Sequence, residues 1–359
     1  MRRRTANLII PIVVGLSLLA LAVVCGCPKT STGGSGPAPR GDALSSTVTA
    51  PTGQPIRIYM MPKLKGIDFF NACQKGAEEA AAELGSAVEF TYDGPTESKV
   101  EKQMEMLDTV VDKGVDVIAV AANDPDAIAP TLSAAKDKGV AVITWDSDAN
   151  PETSGRTFFV NQATAESIGN TLVDEMAKQA GPKAKFAIIS GTATAKNQNT
   201  WMEYMHKRIR EKHPDMQELA IKYPGEDENN AKKEAQDLLK AYPDINGIFG
   251  ITSVSFPGAV EAVVNAGKQK EVKVVGLATP KPMREWVLNG DIESVILWSC
   301  EDLGYLTVYV AKTAREGTLK PGATEFEAGR LGKVRVAGDQ VILGDPLVFT
   351  KDNIEKYDF

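Results

Sequence analysis

The sequence predicts an α/β protein made of two doubly wound lobes, and three observations carry that expectation. From residue 56 onward, short apolar runs alternate with amphipathic segments of helical spacing, the signature of βαβ units on a parallel sheet. The alternation then starts again at residue 184 with the same plan and little identity. The chain has 359 residues, enough for two domains.

The first strand is IRIYMM at 56–61, followed by the helical FNACQKGAEEAAAELG, which Gly85 closes as a C-terminal stop. VEFTYD at 88–93 is the second strand. SKVEKQMEMLDTVVDKG is a helix, VDVIAVAA at 115–122 a buried strand, DAIAPTLSAAKDKG a helix, and VAVITW at 140–145 the fourth strand. The second half repeats this order. Its strands are AKFAIIS (184–190), ELAIKY (218–223), INGIFGI (245–251) and VKVVGLA (272–278), with helices between them. PMREWVLNG, the strand ESVILWS at 293–299 and the long helix DLGYLTVYVAKTAREG follow. The expected division assigns 56–147 plus 280–320 to the first lobe and 148–279 plus 321–359 to the second, the last third crossing between them.

In open parallel sheets, ligands sit beyond the carboxyl ends of the strands. That rule selects Lys63, Asp93, Asn123, Asp124, Trp145, Asp146 and Asp148 in the first half. In the second it selects Asn197, Gln198, Ser253, Phe256 and Thr279. Facing lobes would bring these points to one cleft.

Composition narrows the function. The chain is 43% hydrophobic and 24% charged, with a net charge of -7. This is the balance of an ordinary globular protein and lacks the basic face of a nucleic-acid binder. His206 and His213 are the only imidazoles, so histidine-based catalysis and histidine-rich metal sites have few candidates.

The N-terminus reads as an export signal. MRRR precedes the apolar LIIPIVVGLSLLALAVV, and VCGC follows; a basic start and an apolar stretch of this kind mark a segment that is removed rather than folded. Residues 24–27 resemble a bacterial lipobox. On that reading residues 1–26 are a lipoprotein signal peptide and Cys27 is the first mature residue, carrying a diacylglycerol. Two acyl chains hold a protein at a membrane where one binds only marginally. The Pro/Gly/Ser/Thr-rich stretch to residue 55 then serves as a flexible tether. Loss of Arg2, Arg3 and Arg4 would take the net charge from -7 to -10. Cys73 and Cys300 remain; export permits a disulfide between them, and two separate buried thiols are the alternative.

The segments MPKLKGIDFF, TYDGPTE, ITWDSDANPE, KNQNTW, GLATPKPMREWV and NIEKYDF resemble the autoinducer-2-binding proteins, members of the type I periplasmic binding proteins of ABC importers. Rhamnose- and ribose-type sugar binders of that group are similar too. The resemblance covers residues 56 to 359. It implies two Rossmann-like lobes joined by hinge crossovers, closure over a small sugar or polyol, and delivery to a membrane permease. No cofactor, metal, nucleic acid or enzymatic turnover is implied, and a monomer is expected. The exported chain would stand in the periplasm or at the cell surface, held to the membrane through Cys27. Lys63 matches the family's ligand-contacting lysine and Asp146 its aspartate. In the family's Asp-Gln pair Gln198 matches, whereas Asn197 stands in place of the aspartate. Ile251 and Ser253 replace a Pro and an Ala. These departures favour a related sugar, rhamnose- or ribose-like, over autoinducer-2 itself, which stays as the alternative ligand, taken up or sensed.

The residues themselves agree with a binding site. Asp146 and Asp148 follow the fourth strand two apart and are read as two separate groups, one a ligand contact and the other a turn residue. They are not read as a facing acid/base pair, whose carboxyls lie about 5–9 Å apart across one bond. Asp146 suits acceptance of charge-assisted hydrogen bonds from sugar hydroxyls, and Asp148 suits a turn or the start of the hinge. Lys63 donates only and complements a polyol held by carboxylates. Asn197 is either a ligand contact or a helix cap. Phe69, Phe70 and Trp298 are the aromatic candidates for stacking on a sugar ring, ahead of Trp145 and Phe256, and Trp201 is expected to pack beneath its helix.

Overall fold

The computed structural model describes residues 53–359. The expected signal peptide, Cys27 and nearly all of the expected tether lie outside the described residues.

The alternation seen in the sequence forms as β1 (Ile56–Met61), α1 (Asp68–Leu84), β2 (Val88–Tyr92), α2 (Val100–Asp112), β3 (Val117–Val120), α3 (Ala129–Asp137) and β4 (Ala141–Trp145). A strand that the sequence does not announce, β5 (Phe159–Asn161), completes this run. The chain then passes to α4 (Ala165–Ala180), β6 (Lys185–Ile189), α5 (Lys196–Lys212), β7 (Gln217–Lys222), α6 (Glu228–Ala241), β8 (Gly247–Gly250), α7 (Ser255–Asn265), β9 (Lys273–Gly276), α8 (Pro280–Asn289) and β10 (Ser294–Leu297). It returns through α9 (Cys300–Glu316), β11 (Glu325–Glu327), β12 (Lys333–Ala337) and β13 (Gln340–Ile342), and ends after β14 (Leu347–Thr350).

Pairing defines the lobes. The first holds an eight-stranded sheet in the order β11-β12-β13-β5-β4-β3-β1-β2, parallel from β13 to β2. The second holds the parallel sheet β7-β6-β8-β9. A bridge from Leu277 to Ile296 continues it into β10, which pairs antiparallel with β14. The chain therefore changes lobe three times: between β5 and α4, between β10 and α9, and between β13 and β14.

The pairing redraws the expected lobe boundaries. Residues 159–161 and 325–342 belong to the first sheet, and residues 280–297 stand with the second. The reason is length. Strands of three residues carry no readable period, and the pairing of β13 with β5, which brings the end of the chain back to the first sheet, joins segments far apart in sequence. Asp148 does not start the hinge; the first crossing comes after Asn161.

Each lobe is built on fully buried strands, as in β3 and β8, so both sheet faces are covered by helices. The tightest contact is α1 against α9. A Cβ on Gly304 would lie 1.8 Å from the Cys73 carbonyl oxygen, and one on Gly76 would lie 1.8 Å from that of Glu301. Only glycine permits this approach. Cys73 and Cys300 are buried free thiols at the crossing; burial and a hydrogen bond to Cys300 push the Cys73 thiol well above the ordinary range. Among the described residues no helix is long and apolar enough to cross a membrane.

Candidate functional site

Lys63, Phe69, Phe70, Asp146, Asn197, Gln198, Ser253 and Trp298 all line one small cavity between the lobes. The cause is topological. Each loop that follows a parallel strand leaves at the same sheet edge, and the two edges face each other.

The first-lobe wall is held by its own hydrogen bonds. Lys63 sits in the loop after β1 and is 3% exposed. Its carbonyl accepts from the Asn123 side chain at 2.9 Å. Gln103, fully buried on α2, donates to the carbonyls of Pro62 (3.1 Å) and Ala121 (2.7 Å) and accepts from the Asn123 amide (2.9 Å). One side chain thus ties the loops after β1 and β3 together. The Trp145 indole donates to the Met61 carbonyl at 3.1 Å. Trp145 and Phe256 are core residues, wholly buried, and form no platform.

Asp146 ends β4 in an unusual conformation. Its φ is 57°, making it the single non-glycine with positive φ among the described residues. The Ser147 amide bonds to the Trp145 carbonyl across it at 2.5 Å, and its own amide bonds to Val160 at 3.1 Å. A left-handed backbone in a residue other than glycine is strained, and such strain persists where the surroundings impose it. Here it turns a carboxylate into the cavity instead of leaving it in the line of the strand. Burial pushes the Asp146 carboxyl up to about 7; Lys63 pulls it down and Glu226 pushes it up further.

Asp148 faces away from the cavity; residues two apart on a regular strand would share a face, and the positive φ at Asp146 breaks that alternation. It accepts from Thr144 (2.5 Å) and from Arg156 (2.6 Å), and Arg156 also reaches Asp339 at 2.7 Å. It anchors the loop after β4 to the turn between β12 and β13 within the first lobe.

The second-lobe wall is chemically less complete. Asn197 and Gln198 occupy the first turn of α5, whose cap position is Ala195 with no side-chain cap. Asn197 is therefore not the cap. Its Oδ1 accepts from Lys63 Nζ at 3.0 Å across the cleft and lies 3.4 Å from the Ser147 hydroxyl. Gln198 Oε1 is buried with no hydrogen-bond partner, and so is Trp298 Nε1. Ser253 is half-buried in the loop after β8.

Aromatic rings run along one side of the cavity. Phe70 meets Phe69 edge-to-face with ring centres 5.0 Å apart, Phe69 meets Trp298 at 6.0 Å, and Trp298 meets Trp201 at 5.9 Å. Trp201 does line the cavity, against the expectation that it lay beneath its helix; α5 approaches with the face that carries Gln198 and Trp201 together.

Sequence reasoning also missed Glu226, in the loop after β7. The strand-end rule points to that loop, but YPGEDENN holds three acids. Asp227 caps α6 by accepting from the Asn230 amide at 2.8 Å, and only the fold shows that Glu226 turns inward. Other strand-end residues lie elsewhere. Asp93 pairs with Lys65 at the surface, and Asp124 accepts from the amides of Asp126 and Ala127. His206 and His213 hydrogen-bond through Nε2 to Glu218 (2.8 Å) and Asp174 (3.0 Å). Among the described residues no group of three metal-ligating side chains is present.

Comparison with known proteins gives a consistent result. A family model described as a periplasmic binding protein domain matches residues 58–319. The chain is 25% identical over 263 residues to the D-ribose/D-allose-binding protein of Pseudomonas aeruginosa, covering 69% of this chain and 78% of that one. It superposes on a Clostridium phytofermentas ABC transporter solute-binding protein with bound L-rhamnose at a TM-score of 0.80 and 26% identity, covering 85% of this chain and 98% of that one. It superposes on LsrB of Clostridium saccharobutylicum in complex with AI-2 at 0.79 and 29% identity, covering 85% and 100%.

Proposed function

The chain belongs to the periplasmic binding proteins, and from that premise we propose that it is the solute-binding component of an ABC importer, capturing a small sugar by closure of its two lobes. The carrying observation is the cavity itself. Carboxylates, an ammonium, an amide and aromatic rings converge there from both lobes, and two buried polar atoms, Gln198 Oε1 and Trp298 Nε1, have no protein partner. Buried polar groups are normally satisfied. A sugar hydroxyl can donate to the first and accept from the second, while the rings cover its apolar face.

Closure follows from the three chain crossings. Rotation about them opens the cleft and breaks the Lys63–Asn197 bond. Ligand enters, Asp146 and Lys63 take its hydroxyls on one side, and the second lobe closes on the other. The closed pair then presents one surface to a permease. A family of binding proteins supplies no turnover, and this reading needs none. The chain acts as a monomer, held to the membrane through diacylated Cys27 and its tether.

Rhamnose- and ribose-like sugars are the favoured ligands, because three of the six positions matched to autoinducer-2 binders differ here, at Asn197, Ile251 and Ser253. Autoinducer-2 is the second reading, supported by Lys63, Asp146 and Gln198. The test is calorimetry on protein unfolded and refolded to strip carried ligand, titrated with L-rhamnose, D-ribose, D-allose and autoinducer-2. Micromolar or tighter binding of one sugar is expected; silence toward all four ends the proposal. Mass analysis of the protein from membranes tests Cys27 for diacylglycerol.

A further inference from the structure

Glu226 is unused by the reading above, and its setting is that of a ligand group. It comes from the second lobe, on the loop between β7 and α6, and lines the same cavity as Asp146. Its carboxylate lies on the backbone of Gly191 at the carboxyl end of β6: a Cβ there would stand 2.6 Å from Glu226 Oε1 and 3.3 Å from the Thr252 methyl. Glycine at 191 is what lets the carboxylate reach inward. Among the described residues, no hydrogen bond to the Glu226 carboxylate is found, and the same holds for the Asp146 carboxylate. Both therefore keep their acceptor capacity for something else. The two carboxylates share one ammonium, Lys63, which already spends one donor on Asn197.

Resting on the proposal that this cavity binds a sugar, we infer that Glu226 is a specificity-determining, ligand-contacting residue that accepts hydroxyl hydrogens opposite Asp146 and excludes anionic sugars. The polar groups support it. Asp146 and Glu226 only accept when ionised, Lys63 and Trp298 Nε1 only donate, and Asn197, Gln198, Thr252 and Ser253 can do either. An acceptor-only carboxylate on each wall favours a ligand with hydroxyl donors at both ends. A uronate or sugar phosphate would set another anionic group against two buried acidic ones, with a single lysine to balance them, and a charge in a site of low dielectric is costly. Burial raises the Glu226 carboxyl above its ordinary range and Lys63 opposes this, as expected of an acid enclosed without a hydrogen-bonding partner.

The experiment compares wild type, Glu226→Gln and Glu226→Asp by calorimetry with L-rhamnose, D-ribose and D-galacturonate, each variant first checked for an unchanged melting profile. Wild type should bind one neutral sugar and not the uronate. Glu226→Gln should weaken the neutral sugar at least about tenfold, the worth of one charge-assisted hydrogen bond, and admit the uronate. Glu226→Asp keeps the charge and should weaken the neutral sugar while still rejecting the uronate. Adding Asn197→Asp to Glu226→Gln returns a second-lobe carboxylate beside Lys63 and should restore rejection. Wild-type affinity in Glu226→Gln, or uronate binding by wild type, overturns the inference while leaving sugar capture intact. Absence of neutral-sugar binding by wild type overturns sugar capture and this inference with it.

Discussion

The two walls of the cleft are built differently. On the first lobe, the loops after β1 and β3 are riveted by Gln103 and Asn123, Trp145 is bonded to Met61, and Asp148 is tied through Arg156 to a distant turn. On the facing wall, Gln198 Oε1 has no partner, nor has the indole of Trp298 at the crossing into α9, and Glu226 turns inward from an acidic loop. The first wall is pre-organised, and pre-organisation lowers the entropy lost on binding. Among the described residues the second wall lacks such a network, and its Gln198 Oε1 is left, like the Asp146 carboxylate opposite, with acceptor capacity that a ligand can complete. The difference suggests a division of labour: the first lobe places Lys63 and Asp146, and the second decides which ligand is retained.

The largest expected effect tests the first wall. Asp146→Asn should cost roughly 100-fold in sugar affinity, since a carboxylate accepting two hydroxyls loses two charge-assisted bonds. It should leave the melting temperature of the ligand-free protein unchanged or raised, because a buried charge is removed. An affinity within threefold of wild type would show that Asp146 does not touch the ligand.

Gln103→Leu comes next. It never meets the cavity, yet it strips partners from the Asn123 amide and two carbonyls. Unfolding should become easier by about 2–3 kcal/mol, read in urea, with affinity falling about tenfold as Lys63 loses its support. Trp298→Phe should show the opposite balance. Stability should hold, because an orphaned donor is deleted, while affinity falls about threefold to tenfold. If Trp298→Phe destabilised the fold as much as Gln103→Leu, the contrast between the walls would collapse.

The smallest effect is one of pH. The Asp146 carboxyl lies at about 7 in the closed form and near 3.9 when solvated. The closed form therefore holds more protons between those values. Closure is favoured on the acid side, and its advantage declines as pH rises from about 4 to 7, then levels off. Small-angle scattering of ligand-free protein should show a smaller radius at pH 5 than at pH 8, and Asp146→Asn should flatten the difference.

Much of this was legible in the residues. The strand-end rule selected Lys63, Asp146, Asn197, Gln198 and Ser253, because parallel strands deliver their following loops to one edge whatever the details of packing. The opposition of Asp146 and Asp148 was not legible, because residues two apart on an extended chain share a face and it is the positive φ at Asp146 that breaks the period. Glu226 escaped because three adjacent acids are alike in sequence and only one turns inward. Trp201 escaped because the rotation of α5 about its axis depends on which helix face the neighbouring lobe accepts. The lobe boundaries escaped because β5, β11 and β13 are three residues long and take their identity from partners.

By itself the sequence determined the α/β class, the doubled plan, the carboxyl-edge residues and the family resemblance, all of which rest on periodicity and on short local motifs. Tertiary structure alone decided the left-handed turn at Asp146, the rivet formed by Gln103, the inward turn of Glu226 and the three crossings. Each of these is a contact between segments far apart in the chain, set by what the folded neighbours leave room for, and such contacts leave no period to read.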